Sequence, residues 1–231
     1  MTVTLITGAN KGIGREAARR LLEAGHDVWV GARDASRGQA AAEELGARFV
    51  QLDVTDDASV AAAVQTVRDA GTGLDVLINN AGIAGPLLDV KATQADHLVE
   101  VYNTNVFGVV RVTQAFLPLL EESKNPVIVN VTSGMGSMTR TNDPDLSEGS
   151  FTNIDYATSK AAVTMLTSQF ARALPHVRIN AADPGYTATD LNQHSGHQTV
   201  TEGTDATVAL ALIGPDGPTG EFHDRRGRIA Y

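Results

Sequence analysis

The sequence predicts a single-domain α/β fold, a doubly wound parallel sheet of about seven strands with helices on both faces. Three observations point to it. Strand-like and helix-like segments alternate along the whole chain. The strand-like segments are short, nearly continuous apolar runs, as strands buried on both faces require. A glycine-rich turn joins the first strand to the first helix.

The elements follow in order. Residues 3–7, a β-branched run, form the first strand. Residues 13–24 place Ile13, Ala17, Ala18, Leu21 and Leu22 at helical spacing and stop at Gly25, a residue suited to left-handed helix termination. Residues 28–31 form the second strand, 36–45 an Ala-rich helix, 48–52 the third strand and 57–70 another helix. A short fourth strand spans 76–78. Residues 94–120 hold one or two long helices with a break expected near Pro118. Strands over 127–132 and 177–181 bracket a helix over 156–174. A last helix over 202–212 and a seventh strand over 220–223 complete the pattern. No linker and no repeat of solenoid period interrupts it, so residues 1–231 read as one domain.

Composition narrows the function. The net charge of −9 argues against nucleic-acid binding, which needs a basic face. No apolar run approaches the length of a membrane span, and no secretion signal precedes the first strand, so a cytoplasmic protein without a membrane partner is expected. The absence of cysteine removes disulfides, thiolate metal sites and thiol nucleophiles.

The first strand ends in Thr7-Gly8-Ala9-Asn10-Lys11-Gly12-Ile13-Gly14. At such a turn the glycines let a pyrophosphate approach the backbone, and the helix start offers unpaired N–H groups and a positive dipole end. The placement predicts a Rossmann-type dinucleotide site on Gly8, Asn10, Lys11, Gly12, Ile13 and Gly14. The ribose acceptor belongs at the end of strand two, where Gly31-Ala32-Arg33-Asp34 stands. Arg33 favours the 2′-phosphate of NADP(H), because a guanidinium pairs with phosphate in a forked geometry. Asp34 reads as the cap of the next helix. Lys11 and Arg37 are expected to add positive charge at the same point.

The glycine turn, Asn79-Asn80-Ala81-Gly82 after strand four and Tyr156-Ala157-Thr158-Ser159-Lys160 in a late helix, taken in this order, resemble the short-chain dehydrogenase/reductase family. The resemblance covers essentially the whole chain. Within the family the Asn-Lys in the glycine turn, Ala-Arg-Asp after strand two and the run from Arg37 to Ala41 are most similar to NADPH-dependent carbonyl reductases. The resemblance implies cofactor contacts from Asp53 and Val54 to the adenine, and from Asn79, Ala81 and Gly82 along the ribose side. It further implies contacts from Pro184, Gly185, Thr187 and Thr189 to the nicotinamide and its phosphates. It also implies that Ser133 hydrogen-bonds the substrate oxygen and that Asn105 links Lys160 to solvent through water.

Reduction of a small carbonyl compound needs a hydride, a proton donor and a group that polarises the oxygen. A free tyrosine, with a pKa of about 10, is a poor proton exchanger at neutrality. A lysine at i+4 lies on the same helix face, and its charge, with that of an oxidised nicotinamide, is expected to lower the pKa of Tyr156. Lys160 is also expected to hold the nicotinamide ribose. The catalytic set is therefore Asn105, Ser133, Tyr156 and Lys160, with Tyr156 and Lys160 also touching cofactor.

The segment 134–155 is the one long loop and reads as a substrate-side insertion. It is expected to shape the pocket and to favour a monomer or dimer over a tetramer. Residues 186–200 read as a small, moving lid. Met135, Met138, Phe151, Tyr186 and Leu191 are candidate pocket residues. No metal site is expected, since His194 and His197 have no carboxylate cluster beyond Asp190 and Glu202. Two other functions share the pattern: a cofactor-binding sensor without turnover, and an epimerase or dehydratase using the same Tyr–Lys pair.

Overall fold

A computed structural model describes residues 1–231. Strand β1 (Val3–Thr7) lies in the middle of the sheet because it pairs in parallel on both edges, with β2 (Asp27–Ala32) and with β4 (Val76–Asn79). Strands β3 (Arg48–Gln51), β5 (Val127–Val131), β6 (Arg178–Ala182) and β7 (Phe222–Asp224) extend it to either side. The spatial order is β3-β2-β1-β4-β5-β6-β7-β8. The eighth strand corrects the expected seven. β8 (Gly227–Arg228) turns back antiparallel on β7 through a tight hairpin, and two residues are too few to leave an alternating signature.

Period-two alternation sends neighbouring side chains to opposite faces. Leu5, Leu77 and Ile128 enter one core with Val64, Val112 and Phe116. Their neighbours Ile6, Ile78 and Val129 enter the other with Leu21, Ala206 and Leu210. The cores hold 20 and 18 buried residues, so both faces of the sheet are covered nearly equally. Helices α1 (Gly12–Glu23), α2 (Ala35–Leu45) and α3 (Asp57–Asp69) fall where the periodicity places them. Asp34 caps α2, accepting from the Arg37 N–H at 3.0 Å.

The break expected near Pro118 lies elsewhere. Between α4 (Ala95–Tyr102) and α5 (Gly108–Leu120) the chain widens into one π-helical turn over Asn103–Phe107, and α5 runs through Pro118 to Leu120. A proline in the last turn removes only one hydrogen bond, whereas π turns concentrate at functional positions. The last helix is two pieces, α8 (Val200–Gly203) and α9 (Asp205–Ala211), preceded in the chain by α6 (Met138–Thr141) and the long α7 (Ile154–Ala173).

The long insertion is ordered. It holds 3-10 turns at Gly134–Gly136 and Ser147–Ser150 around α6, and it is pinned to the chain's far end. Ser137 Oγ donates to the Ala230 carbonyl at 2.8 Å, and Thr139 Oγ1 to that of Tyr231 at 2.8 Å. Residues 186–200 are stitched as well: Gln198 bridges Tyr186 and Ala188 through backbone bonds, and Thr189 caps the turn Asp190–Asn192. No helix is long and apolar enough to cross a membrane.

Candidate active site

The chain reverses its winding between β1 and β4, and the carboxyl ends of those strands open a crevice where ligands of such sheets sit. A cavity of about 640 Å³ occupies it. One wall is the glycine turn. Gly8 and Gly12 adopt φ of +65° and +55°, and a Cβ on Gly8 would stand 3.0 Å from the Ala81 Cα. Helix α1 begins here with no side chain capping it, so its first N–H groups face the cavity.

Asn80, which the sequence reading passed over, straps this wall. Its Nδ2 donates to the carbonyls of Thr7 at 2.8 Å and Gly8 at 3.2 Å, while Thr7 Oγ1 accepts from the N–H groups of Asn80 and Ala81. A carboxamide among the glycines' free backbone groups was the available signal. Asn79 is turned away: its Nδ2 donates to Asn130 Oδ1 at 2.9 Å and Thr113 Oγ1 at 3.1 Å behind the strand.

Asn10, Lys11, Ile13 and Gly14 line the same cavity, with Arg33, Asp53 and Val54 at its far end. Burial pushes the Asp53 carboxyl up, but bonds from Thr55 and the nearby Arg33 and Arg111 outweigh it and hold the group below its ordinary value. Arg37 is not brought to the cavity; it stands largely exposed, 3.5 Å from Asp34. Lys11 pairs with Asp190 at 2.8 Å.

Ala81, Gly82, Tyr156, Lys160, Pro184 and Thr189 line the other end. Asn153 caps α7 one turn before Tyr156 acts on the cavity, accepting from the Tyr156 N–H. Lys160 Nζ donates to the Val131 carbonyl at 3.0 Å and lies 5.6 Å from the centre of the Tyr156 ring. Thr132 is buried with its hydroxyl committed to the Lys160 carbonyl, which leaves Ser133 as the hydroxyl beside the phenol. Ser133 itself is half-buried and accepts from the Met135 N–H at 3.2 Å. Gly185, which is exposed, and Thr187, which is buried, do not line the cavity; their donors go to Asp183 and the Pro184 carbonyl. Of the pocket candidates only Leu191 reaches the cavity; Met138, Phe151 and Tyr186 face outward.

Burial governs the electrostatics of the pair in the protein alone. Burial pushes Tyr156 up to about 12, the Ser133 hydroxyl drawing it down and the charge of Asp183 adding to the rise. Burial likewise lowers Lys160 to about 8, with Asp183 acting against it. Desolvation is thus the largest influence on both groups. Asn105 sits in the π turn with both ends of its amide engaged: Oδ1 accepts from the Ile83 N–H at 2.9 Å, and Nδ2 donates to the Ile83 carbonyl and to Ser159 Oγ. It touches Lys160 only across Gly82, where a Cβ would lie 3.3 Å from Asn105 Oδ1 and 3.4 Å from Lys160 Nζ. His194 meets Asp190 at 3.0 Å while His197 packs edge-on to Tyr186, so the two histidines face different partners.

Sheet order, an uncapped helix over a glycine cradle, and a half-buried phenol beside a buried ammonium define a nucleotide-binding α/β protein. The family model for short chain dehydrogenases matches residues 2–199, and the chain belongs to that family. Isopiperitenone reductase of Mentha piperita is 33% identical, covering 98% of this chain and 97% of that one. An NADPH carbonyl reductase, number 3, of Mus musculus is 34% identical over 93% and 92%. Among solved structures, NADPH-bound carbonyl reductase from chicken fatty liver superposes with a TM-score of 0.87 at 30% identity over 100% of both chains. Salutaridine reductase from Papaver somniferum does so at 0.86 and 28%, over 96% and 99%.

Proposed function

We propose that the protein is an NADP(H)-dependent oxidoreductase acting on a small carbonyl or alcohol compound, an aldehyde, ketone or quinone. The observation that carries this reading is the single cavity joining an uncapped helix start and Arg33 at one end to Tyr156 and Lys160 at the other. The cavity fits the cofactor: glycines at positive φ admit a pyrophosphate, and Lys11 and Arg33 supply the charge a 2′-phosphate calls for. When bound, the nicotinamide supplies or accepts the hydride.

The chain's own residues do the rest. The Tyr156 hydroxyl, kept protonated by its surroundings, donates its proton to the oxygen of the carbonyl. The Ser133 hydroxyl, beside it, hydrogen-bonds the same oxygen and stabilises the charge that develops there. Lys160 Nζ holds the ribose and keeps a positive charge close to the phenol. Asn105, through Ile83 and Ser159, fixes the segment after β4 against α7. A cytoplasmic protein is part of this reading.

The test follows the absorbance of NADPH, and separately NADH, against a panel of aldehydes, ketones and quinones. Oxidation favouring NADPH, reduced by about 10²–10⁴-fold in Tyr156→Phe, is expected. NADPH binding without turnover on any member of the panel would favour a sensor in its place.

A further inference from the structure

We propose that Asp155 is a positioning residue for the reacting end of the cavity: its buried carboxyl locks the strip of residues 83–85 onto the start of α7, so that this wall and Tyr156 keep a fixed spacing. The inference rests on the NADP(H) reading of the cavity given above.

The strip leaves the end of β4 and lines the cavity together with Gly82, Tyr156 and Lys160. Two clasps hold it. The first is Asn105, whose amide engages both backbone groups of Ile83 and donates to Ser159 Oγ at 3.0 Å. Ser159, fully buried, donates in turn to the Tyr156 carbonyl at 2.7 Å. This clasp reaches the strip from the carbonyl side of Tyr156.

The second clasp closes from the N–H side of the same residue. The Tyr156 N–H donates to Asn153 Oδ1 at 3.2 Å and to Asp155 Oδ1 at 2.9 Å. Asn153 Nδ2 donates onward to the Ala84 carbonyl, at a long 3.4 Å. The other carboxyl oxygen of Asp155 rests on Gly85. A Cβ built there would stand 2.3 Å from Asp155 Oδ2 and 2.7 Å from Val101 Cγ2, and Gly85 adopts a φ of +71°. Both neighbours are buried, Asp155 at 4% exposure and Val101 at 0%. Only a residue without a side chain lets the strip come this close.

Helix capping does not account for Asp155. Asn153 is the cap of α7 and already accepts from the Tyr156 N–H. What Asp155 adds is an oxygen seated on Gly85. The glycine lets the strip approach, and the carboxyl, tethered to the Tyr156 N–H, stops it. Without that stop the strip is held by Asn105 and by one long bond, and the reacting end of the cavity loses its set width. The glycine turn and Arg33, at the far end, keep their own supports.

Calorimetric titration of the full protein with NADPH, and separately with adenosine 2′,5′-bisphosphate, tests this without reading turnover. The second ligand carries the adenosine and its 2′-phosphate but no nicotinamide. Asp155→Ala is expected to weaken NADPH about three- to tenfold and to leave adenosine 2′,5′-bisphosphate unchanged. Asp155→Asn keeps the acceptor and the shape, and should bind both ligands as the wild type does. An unchanged NADPH affinity in Asp155→Ala, an equal loss for both ligands, or an asparagine variant as impaired as the alanine one overturns the proposal. If Asp155→Ala does not fold, Gly85→Ala pushes the same contact apart from the other side. The same loss confined to NADPH is expected, and its absence overturns the proposal. A wild-type protein that binds neither ligand would sink the cofactor reading itself, and this proposal with it. Inactivity on every carbonyl would sink only the proposed reaction.

Discussion

Lys11 and Asp190 meet at 2.8 Å, joining the glycine turn to the segment after Pro184 along the rim of the cavity. Both side chains are more than half exposed, at 60% and 56%, so the pair contributes little to stability. Its consequence lies in binding, because a 2′-phosphate must compete with Asp190 for the ammonium. Asp190→Asn is expected to leave the melting temperature unchanged and to tighten NADPH binding about two- to fivefold at low salt. The gain should fade as salt screens the exposed charges. Calorimetric titration at two salt concentrations measures it; a weaker or salt-independent Kd would contradict the competition.

Arg33 and Arg37 separate in the structure although only four residues apart in sequence. Arg33 lines the cavity beside Asp53, whereas Arg37 is 74% exposed and directed to Asp34. A charge-assisted bond to phosphate is worth about 1.5–3 kcal/mol. Arg33→Ala is therefore expected to weaken NADPH by about 10- to 100-fold with little change for NADH. Arg37→Ala should stay within about twofold for both. Equal losses for the two variants would restore Arg37 to the site.

The lowered Lys160 gives a pH dependence with a definite sign. As pH rises through about 8 the ammonium is lost, so NADPH binding should weaken above that point in the wild type and stay level in Lys160→Arg. Stability runs the other way for this group. The folded pKa lies below the unfolded value of about 10.4, so its contribution is absent at low pH and accrues between about 8 and 10. For Tyr156, raised to about 12, stability is full below about 10 and is lost as pH climbs toward 12. Melting curves of Lys160→Met against wild type check the first window: the variant's relative advantage should shrink as pH passes from 7 to about 10.

Behind the site, Thr113, Asn79, Asn130 and Thr167 form a buried hydrogen-bonded row that ties α5 and α7 through β4 and β5. Asn79→Ala strands the Asn130 carbonyl oxygen in an apolar core. A loss of about 1–3 kcal/mol in urea unfolding is expected. The double variant Asn79→Ala/Asn130→Ala should cost less than the sum of the single changes, since the stranded partner is gone.

Local chemistry made much of this legible. Strand-by-strand apolar runs gave the sheet, because burial on both faces leaves no polar alternation to confuse it. The glycine turn announced itself through residues whose backbone must approach a ligand. Asn79 and Asn80 could not be told apart, since which one faces the cavity depends on where β4 ends. Arg37 looked convergent in sequence but lies on α2, whose cap fixes its direction away from the cavity. Burial also raises Tyr156, an effect that the i+4 spacing of Tyr156 and Lys160 does not reveal.

The ties from Ser137 and Thr139 to Ala230 and Tyr231 bear on the order in which the molecule is made. During synthesis the glycine cradle and its central strands are available early, since β1, β2 and β4 all lie within the first eighty residues. The serine turn is different: the segment that follows it stays without its moorings until the ribosome has released residues 230 and 231. A nascent chain can therefore present the glycine cradle well before the segment after Ser133 is tied down, and breaking the bonds to residues 230 and 231 would loosen that segment sooner than the central strands.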